Sequence, residues 1–77
     1  MEVKILFFGQ LAAQVAQEQL YLKDMKDTDE VLKQLAESYP FFKKAAYSVA
    51  VDQKIIKENT RLNPGAVVAL LPPFSGG

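Results

Sequence analysis

Two apolar strand patterns near the extremities of a 77-residue chain, with one strongly marked helix between them, leave few ways to close a core. From Glu2 to Phe8 the residues alternate, with Val3, Ile5 and Phe7 on one side and Lys4, Leu6 and Phe8 on the other. This predicts a strand that becomes apolar on both faces towards its end, closed by Gly9. Ala66 to Leu71 is an uninterrupted apolar run, the pattern of a strand with neighbours on both edges. Parallel pairing of these two strands needs a long crossover, and the helix-containing middle of the chain supplies it.

The middle reads as short elements. Gln10 to Gln17 is rich in Ala and Gln with Leu11 and Val15 four apart, which fits either a short helical turn or a compact loop. Glu18 to Asp24 alternates again, with Leu20 and Leu22 opposite Gln19, Tyr21 and Lys23, and predicts a second strand beside the first. Asp27 or Thr28 can accept from the free N–H groups of a first helical turn, and Glu30 follows Asp27 at capping-box spacing. Val31, Leu32, Leu35, Ala36 and Tyr39 then form one apolar stripe, and Pro40 disfavours the helical conformation of the residue before it. Phe41 and Phe42 are expected to plug the end of the core, and Lys43-Lys44 to be a solvated pair. Tyr47 to Asp52 predicts a third strand, Asp52-Gln53-Lys54 a turn into Ile55-Ile56, and Asn63-Pro64-Gly65 a further turn. This order predicts an α+β chain, a β-grasp roll in which a mixed sheet wraps one main helix. Residues 1–71 are expected to form the domain and 72–77 a flexible tail.

Composition removes whole classes of function. The chain has neither cysteine nor histidine, so thiolate zinc sites, imidazole bases and cysteine nucleophiles are excluded, and no metal site is expected. An enzyme acting alone is a poor fit. Nine Lys plus Arg balance nine Asp plus Glu, which gives no electrostatic case for nucleic acid or membrane binding. No stretch has the form of a secretion signal or approaches the ~18 apolar residues of a membrane helix, so the expected location is cytoplasmic. A core this small contributes roughly 3 to 5 kcal/mol of net stability, and burial against a partner would add to it.

Chemistry is left to the end of the sequence, Pro72-Pro73-Phe74-Ser75-Gly76-Gly77. Two glycines carry no Cβ and can enter a narrow channel behind a carboxylate. A terminal α-carboxyl has a pKa of about 3.3 to 3.7, so it is ionised at neutral pH and is a poor acyl donor until a partner activates it. Pro72-Pro73 cannot continue a central strand and favours an extended path, so the tail should leave the sheet abruptly. Six residues at about 3.1 to 3.6 Å each reach roughly 20 Å, enough to thread an active site while the domain docks outside.

The whole chain resembles the ubiquitin-like sulfur carriers of the MoaD/ThiS family. The resemblance is carried by Val3-Lys4-Ile5-Leu6-Phe7-Phe8, the helix entry Thr28-Asp29-Glu30-Val31-Leu32, Val49-Ala50-Val51, the turn at Gly65, and Leu70-Leu71 followed by the Pro-Pro-Phe-Ser-Gly-Gly end. That last segment is the most specific and places the resemblance on the MoaD side, the small subunits of molybdopterin synthase. The resemblance implies a cycle. An E1-like, MoeB-like adenylyltransferase activates the Gly77 carboxylate with Mg-ATP, and a sulfur donor converts it to a thiocarboxylate. A MoaE-like large subunit then uses that sulfur on cyclic pyranopterin monophosphate. Gly77 would carry the covalent chemistry, with Pro72, Pro73, Phe74, Ser75 and Gly76 as the partner-binding tail; ATP and Mg would be consumed by the partner and no cofactor held by this chain. The chain departs from the pattern of many relatives in the segment after the first strand, near Ala12, where they carry a basic residue, and at Pro64 and Ala66, where they have acidic residues flanking the turn glycine.

If Val3, Ile5 and Phe7 face the helix, Leu6 and Phe8 lie on the other face of the sheet. Val68 and Leu70 from the last strand are expected to join them in an apolar docking surface. The alternative is that Gln10 to Gln17 covers them. Three other functions share much of this reading: a ThiS-like carrier for thiazole synthesis, a ubiquitin-like modifier joined to a target lysine, and a β-grasp interaction module with an inert tail.

Overall fold

Alternation in the first strand, β1 (Glu2–Phe7), sets the layer order: Val3, Ile5 and Phe7 are buried, while Lys4 and Leu6 are half-buried on the opposite face. The computed structural model describes residues 2–73; the expectations placed on Phe74, Ser75, Gly76 and Gly77 lie outside them. The chain continues through α1 (Gln10–Val15), β2 (Gln19–Lys23), α2 (Thr28–Ser38), a 3-10 turn (Pro40–Lys43), β3 (Ser48–Val51), β4 (Lys54–Ile56) and β5 (Val67–Leu71). The strands form one five-stranded sheet in the order β2-β1-β5-β3-β4. β1 and β5 run parallel, and the other pairs are antiparallel. β5 is central because its residues are apolar on both faces and can be covered on both edges. The fold is the β-grasp roll that the order of elements predicts, with α1 resolving the Gln10–Gln17 segment as a helix.

α2 begins where the sequence placed it. Asp27 is the cap, its carboxylate accepting from the Glu30 N–H at 3.0 Å, and the Glu30 carboxylate accepts from the Lys26 N–H at 2.8 Å. Thr28 is instead buried, and it ties α2 to the chain before β5. Its hydroxyl accepts from the Thr60 N–H at 2.9 Å and donates to Asn59 Oδ1 at 3.2 Å, an oxygen that also accepts from the Asp29 N–H at 2.9 Å. Val31 and Leu35 bury the helix face against Val3, Ile5, Val68 and Leu70. After Tyr39, Pro40 opens the 3-10 turn and Phe42 closes the end of the core, its ring 6.0 Å from Phe7 and 5.6 Å from Tyr47. Partial burial pushes the Tyr47 phenol above the ordinary tyrosine pKa.

The Glu30 N–H, as the largest influence, holds the Asp27 carboxyl below the usual aspartate range against the opposing desolvation, with smaller help from Asn59, Lys26 and Arg61. A carboxylate whose pKa is lowered by folding contributes stability above its unfolded value and loses it as pH falls through the folded value. Asp27→Ala is therefore expected to lower the thermal midpoint at neutral pH. The gap to the wild type should narrow as the solution is acidified below the aspartate range. Thermal melts of both proteins from neutral to acid pH check this, and a gap that widens on acidification would contradict it.

Candidate functional site

β1 and β5 end together, and the chain leaves the sheet there. Their register, Ile5 opposite Val68 and Phe7 opposite Leu70, puts each pair on one face. Val68 and Leu70 are therefore core residues, both 0% exposed, and not part of a docking surface as the sequence led us to expect. The physical reason is register: Ala66 to Leu71 has no polar residue to mark which positions point outward, so only pairing with β1 fixes its phase.

The outward positions of β5 are Val67, Ala69 and Leu71, and they continue the face that carries Leu6 and Phe8. Pairing extends this face to Ser48 and Ala50 of β3, to Ile55 of β4, and on the other side to Tyr21 of β2. Among the described residues the large hydrophobic side chains left most exposed are Phe8 at 43%, Tyr21 at 52% and Ile55 at 56%, and all three lie here. Leu6, Phe8, Val67 and Ala69 line a groove of about 360 Å³ bordered by Asp52 and Gln53. α1 leaves Phe8 43% exposed: its Leu11 and Val15 turn into the core, and its Ala12 borders this face beside Leu6 and Phe8.

Asp52 rigidifies the rim of the groove. Its N–H donates to the Val67 carbonyl at 2.8 Å, and its carboxylate accepts from the Val67 N–H at 3.0 Å. Asp52 and Gln53 both adopt positive φ, 49° and 73°, in the two-residue connection between β3 and β4. Such a primed turn matches the twist of the flanking strands.

At the exit, the Phe8 N–H donates to the Leu70 carbonyl at 3.2 Å. Pro72 follows, half-buried, and packs against Gly9. Gly9 has φ 56° and ψ −136°, and a Cβ added there would lie 3.0 Å from the Pro72 ring. Sequence reading assigned this glycine only the end of a strand; its position directly after an apolar strand was the available signal. Lys43 and Lys44 are both exposed, and Ala12 is half-buried beside Leu6 and Phe8. No helix among the described residues is long and apolar enough to cross a membrane.

Comparison with known proteins places these features. The chain is similar over its full length to subunit 1 in the complex of subunits 1 and 2 of molybdopterin-converting factor from Helicobacter pylori 26695. The identity is 29%, the TM-score 0.76, and each chain is covered completely. It shares its fold with a putative molybdopterin converting factor subunit 1 from Pyrococcus furiosus, at 15% identity and TM-score 0.86, covering 96% of this chain and 99% of that one. It also shares it with small archaeal modifier protein 1 from Methanosarcina acetivorans, at 24% identity and TM-score 0.84, covering 99% and 96%. The ThiS family matches residues 5–77, and with that span, the mixed β-grasp sheet and the Pro-Pro exit, this chain belongs to the ThiS family of ubiquitin-like sulfur carriers.

Proposed function

We propose that this chain is the sulfur-carrying small subunit of a molybdopterin synthase. The observation that carries the reading is its end-to-end likeness, at 29% identity, to a subunit 1 seen in complex with its subunit 2. An exposed apolar face on this chain is consistent with docking to such a partner. Phe8 and Leu71 flank the point where the chain turns into Pro72, so a partner that covers the outer face also stands beside the exit.

In the proposed cycle a Gly77 carboxylate oxygen attacks the α-phosphorus of Mg-ATP on an E1-like enzyme, and pyrophosphate leaves. The acyl adenylate supplies the leaving group that a carboxylate lacks. Sulfur at the sulfide level, from a donor, adds to the carbonyl carbon and AMP departs, leaving a thiocarboxylate. In the large subunit that sulfur attacks a side-chain carbon of the pterin precursor and an oxygen substituent leaves that carbon as the C–S bond forms; water then cleaves the acyl–sulfur bond, returning the carboxylate and leaving sulfur on the pterin. A protein without cysteine thereby offers a soft nucleophile, and the catalytic groups sit on its partners.

Intact mass of the protein isolated from its own host tests this reading. A species heavier by the exchange of one oxygen for sulfur, lost when the protein is incubated with large subunit and pterin precursor, is the expected result. Protein found as conjugates to lysines, with no sulfur-bearing species, would instead favour the modifier reading.

A further inference from the structure

Beyond β5 the chain takes one defined route among several open to it. It could run on along the strand, turn onto the outer face, or turn towards the helices. One contact among the described residues marks the route taken. Pro72 lies on Gly9, with three carbons of its ring at 3.0, 3.7 and 4.0 Å from where a glycine Cβ would stand. Pro73 then forms one wall of a cleft of about 270 Å³ beyond the sheet's end, between α1 and the segment after the 3-10 turn, where Leu11, Gln14, Phe41, Ala45 and Ala46 supply the others.

Gly9 permits this in two ways. Its positive φ is a conformation that side chains bearing a Cβ rarely adopt, and its bare Cα leaves room for the proline ring. An approach of 3.0 Å is tighter than an ordinary van der Waals contact, so with a Cβ there the proline ring would have to give by a few tenths of an ångström, on top of the strain of a positive φ. Pro72 and Pro73 have fixed φ, so a direction set at Gly9 is carried forward along a stiff segment.

We propose that Gly9 is a positioning residue for the reactive terminus: by seating the Pro72 ring it sets the direction in which the chain leaves the sheet, with Pro73 at the edge of the cleft lined by Leu11, Phe41 and Ala46. The proposal rests on the sulfur-carrier reading for its functional half. The direction set at Pro72 is the starting direction for every residue after it, and misplacement of a reacting group by about 1 Å can cost on the order of a hundredfold in rate.

The test compares the wild type with Gly9→Ala, Pro72→Ala and the double substitution. In the wild type, NMR cross-peaks between Pro73 and the methyl groups of Ala45 and Ala46 are expected. Gly9→Ala should lose them while the core methyl signals of Val3, Ile5 and Leu70 persist. In pyrophosphate exchange with the E1-like enzyme it should lower kcat by about tenfold and leave KM for the carrier unchanged, because the docking face is untouched. Adding Gly9→Ala to Pro72→Ala should then cost much less than it does alone, since the ring it collides with is gone. Retained cross-peaks with unchanged kcat, an effect on KM alone, or strictly additive effects of the two substitutions would overturn the proposal. Should Gly9→Ala fail to fold, Pro72→Ala decides: it must lose the Pro73 cross-peaks and lower kcat, and retention of both overturns the assignment. A wild type that shows the cross-peaks but no exchange overturns the sulfur-carrier reading and the functional half of this proposal, while the path of the chain stands.

Discussion

Deletion of Gly77 is expected to abolish sulfur transfer while leaving the folded domain unchanged. The shortened chain still ends in a glycine carboxylate, so the loss does not come from removing the functional group. It comes from reach: one residue of extended chain spans about 3.3 to 3.6 Å. A carboxylate falling short of the α-phosphorus by that distance loses the near-attack geometry on which an effectively intramolecular step depends, a penalty of a hundredfold or more on the scale of about 1 Å displacements. Among the described residues the core lies within residues 3–70, so the thermal transition should not move. Pyrophosphate exchange and reconstituted molybdopterin synthesis are the measurements. A truncated protein that restored synthesis would show that the mechanism does not depend on a carboxylate at the reach of Gly77.

A matched pair of charge substitutions separates the docking face from the core. Phe8→Asp and Val68→Asp each replace an apolar side chain by a carboxylate, one just after β1 and the other within its neighbour β5, but Phe8 is 43% exposed and Val68 is 0% exposed. At Phe8 the charge is hydrated in the free protein and becomes stranded only when a partner covers it, so binding to the large subunit should weaken at least about tenfold, or 1.4 kcal/mol, with the thermal transition retained. At Val68 the charge is stranded by folding itself. Burial of an unpaired carboxylate costs several kcal/mol, comparable to the roughly 3 to 5 kcal/mol available to a domain of this size, so Val68→Asp should not fold. A Phe8→Asp protein that unfolds, or that binds like the wild type, would contradict the assigned surface. A folded Val68→Asp protein would contradict the register of β5.

The elements that carry polar marks were legible as sequence. Lys4 within the β1 pattern fixes which side of that strand is buried, and Gln19, Tyr21 and Lys23 do the same for β2. Asp27 and Glu30 announce the start of α2, and Pro40 its end. The apolar half of the candidate site was read only in part. Leu6 and Phe8 lie on the open face as their alternation requires, whereas Val67, Ala69 and Leu71 take the places that Val68 and Leu70 had been expected to fill. Tyr21 and Ile55 belong to this face only because β2 and β4 flank the central pair, which neither residue's local sequence reveals.

By itself the sequence determined the class of fold, because two apolar strands, a capped helix and short hairpins in 77 residues admit a β-grasp roll and few alternatives. It also excluded cysteine and histidine chemistry outright, and it directed attention to the Pro-Pro-Phe-Ser-Gly-Gly end. Only the tertiary structure decided the phase of β5, the extent of the apolar face and the seating of Pro72 on Gly9. The division has one physical cause. Hydrophobic alternation and capping are local and are written in neighbouring residues, whereas an all-apolar strand can present either face and a glycine's partner can lie anywhere along the chain. Those choices are made by hydrogen-bond register and by contacts between residues as distant as Gly9 and Pro72.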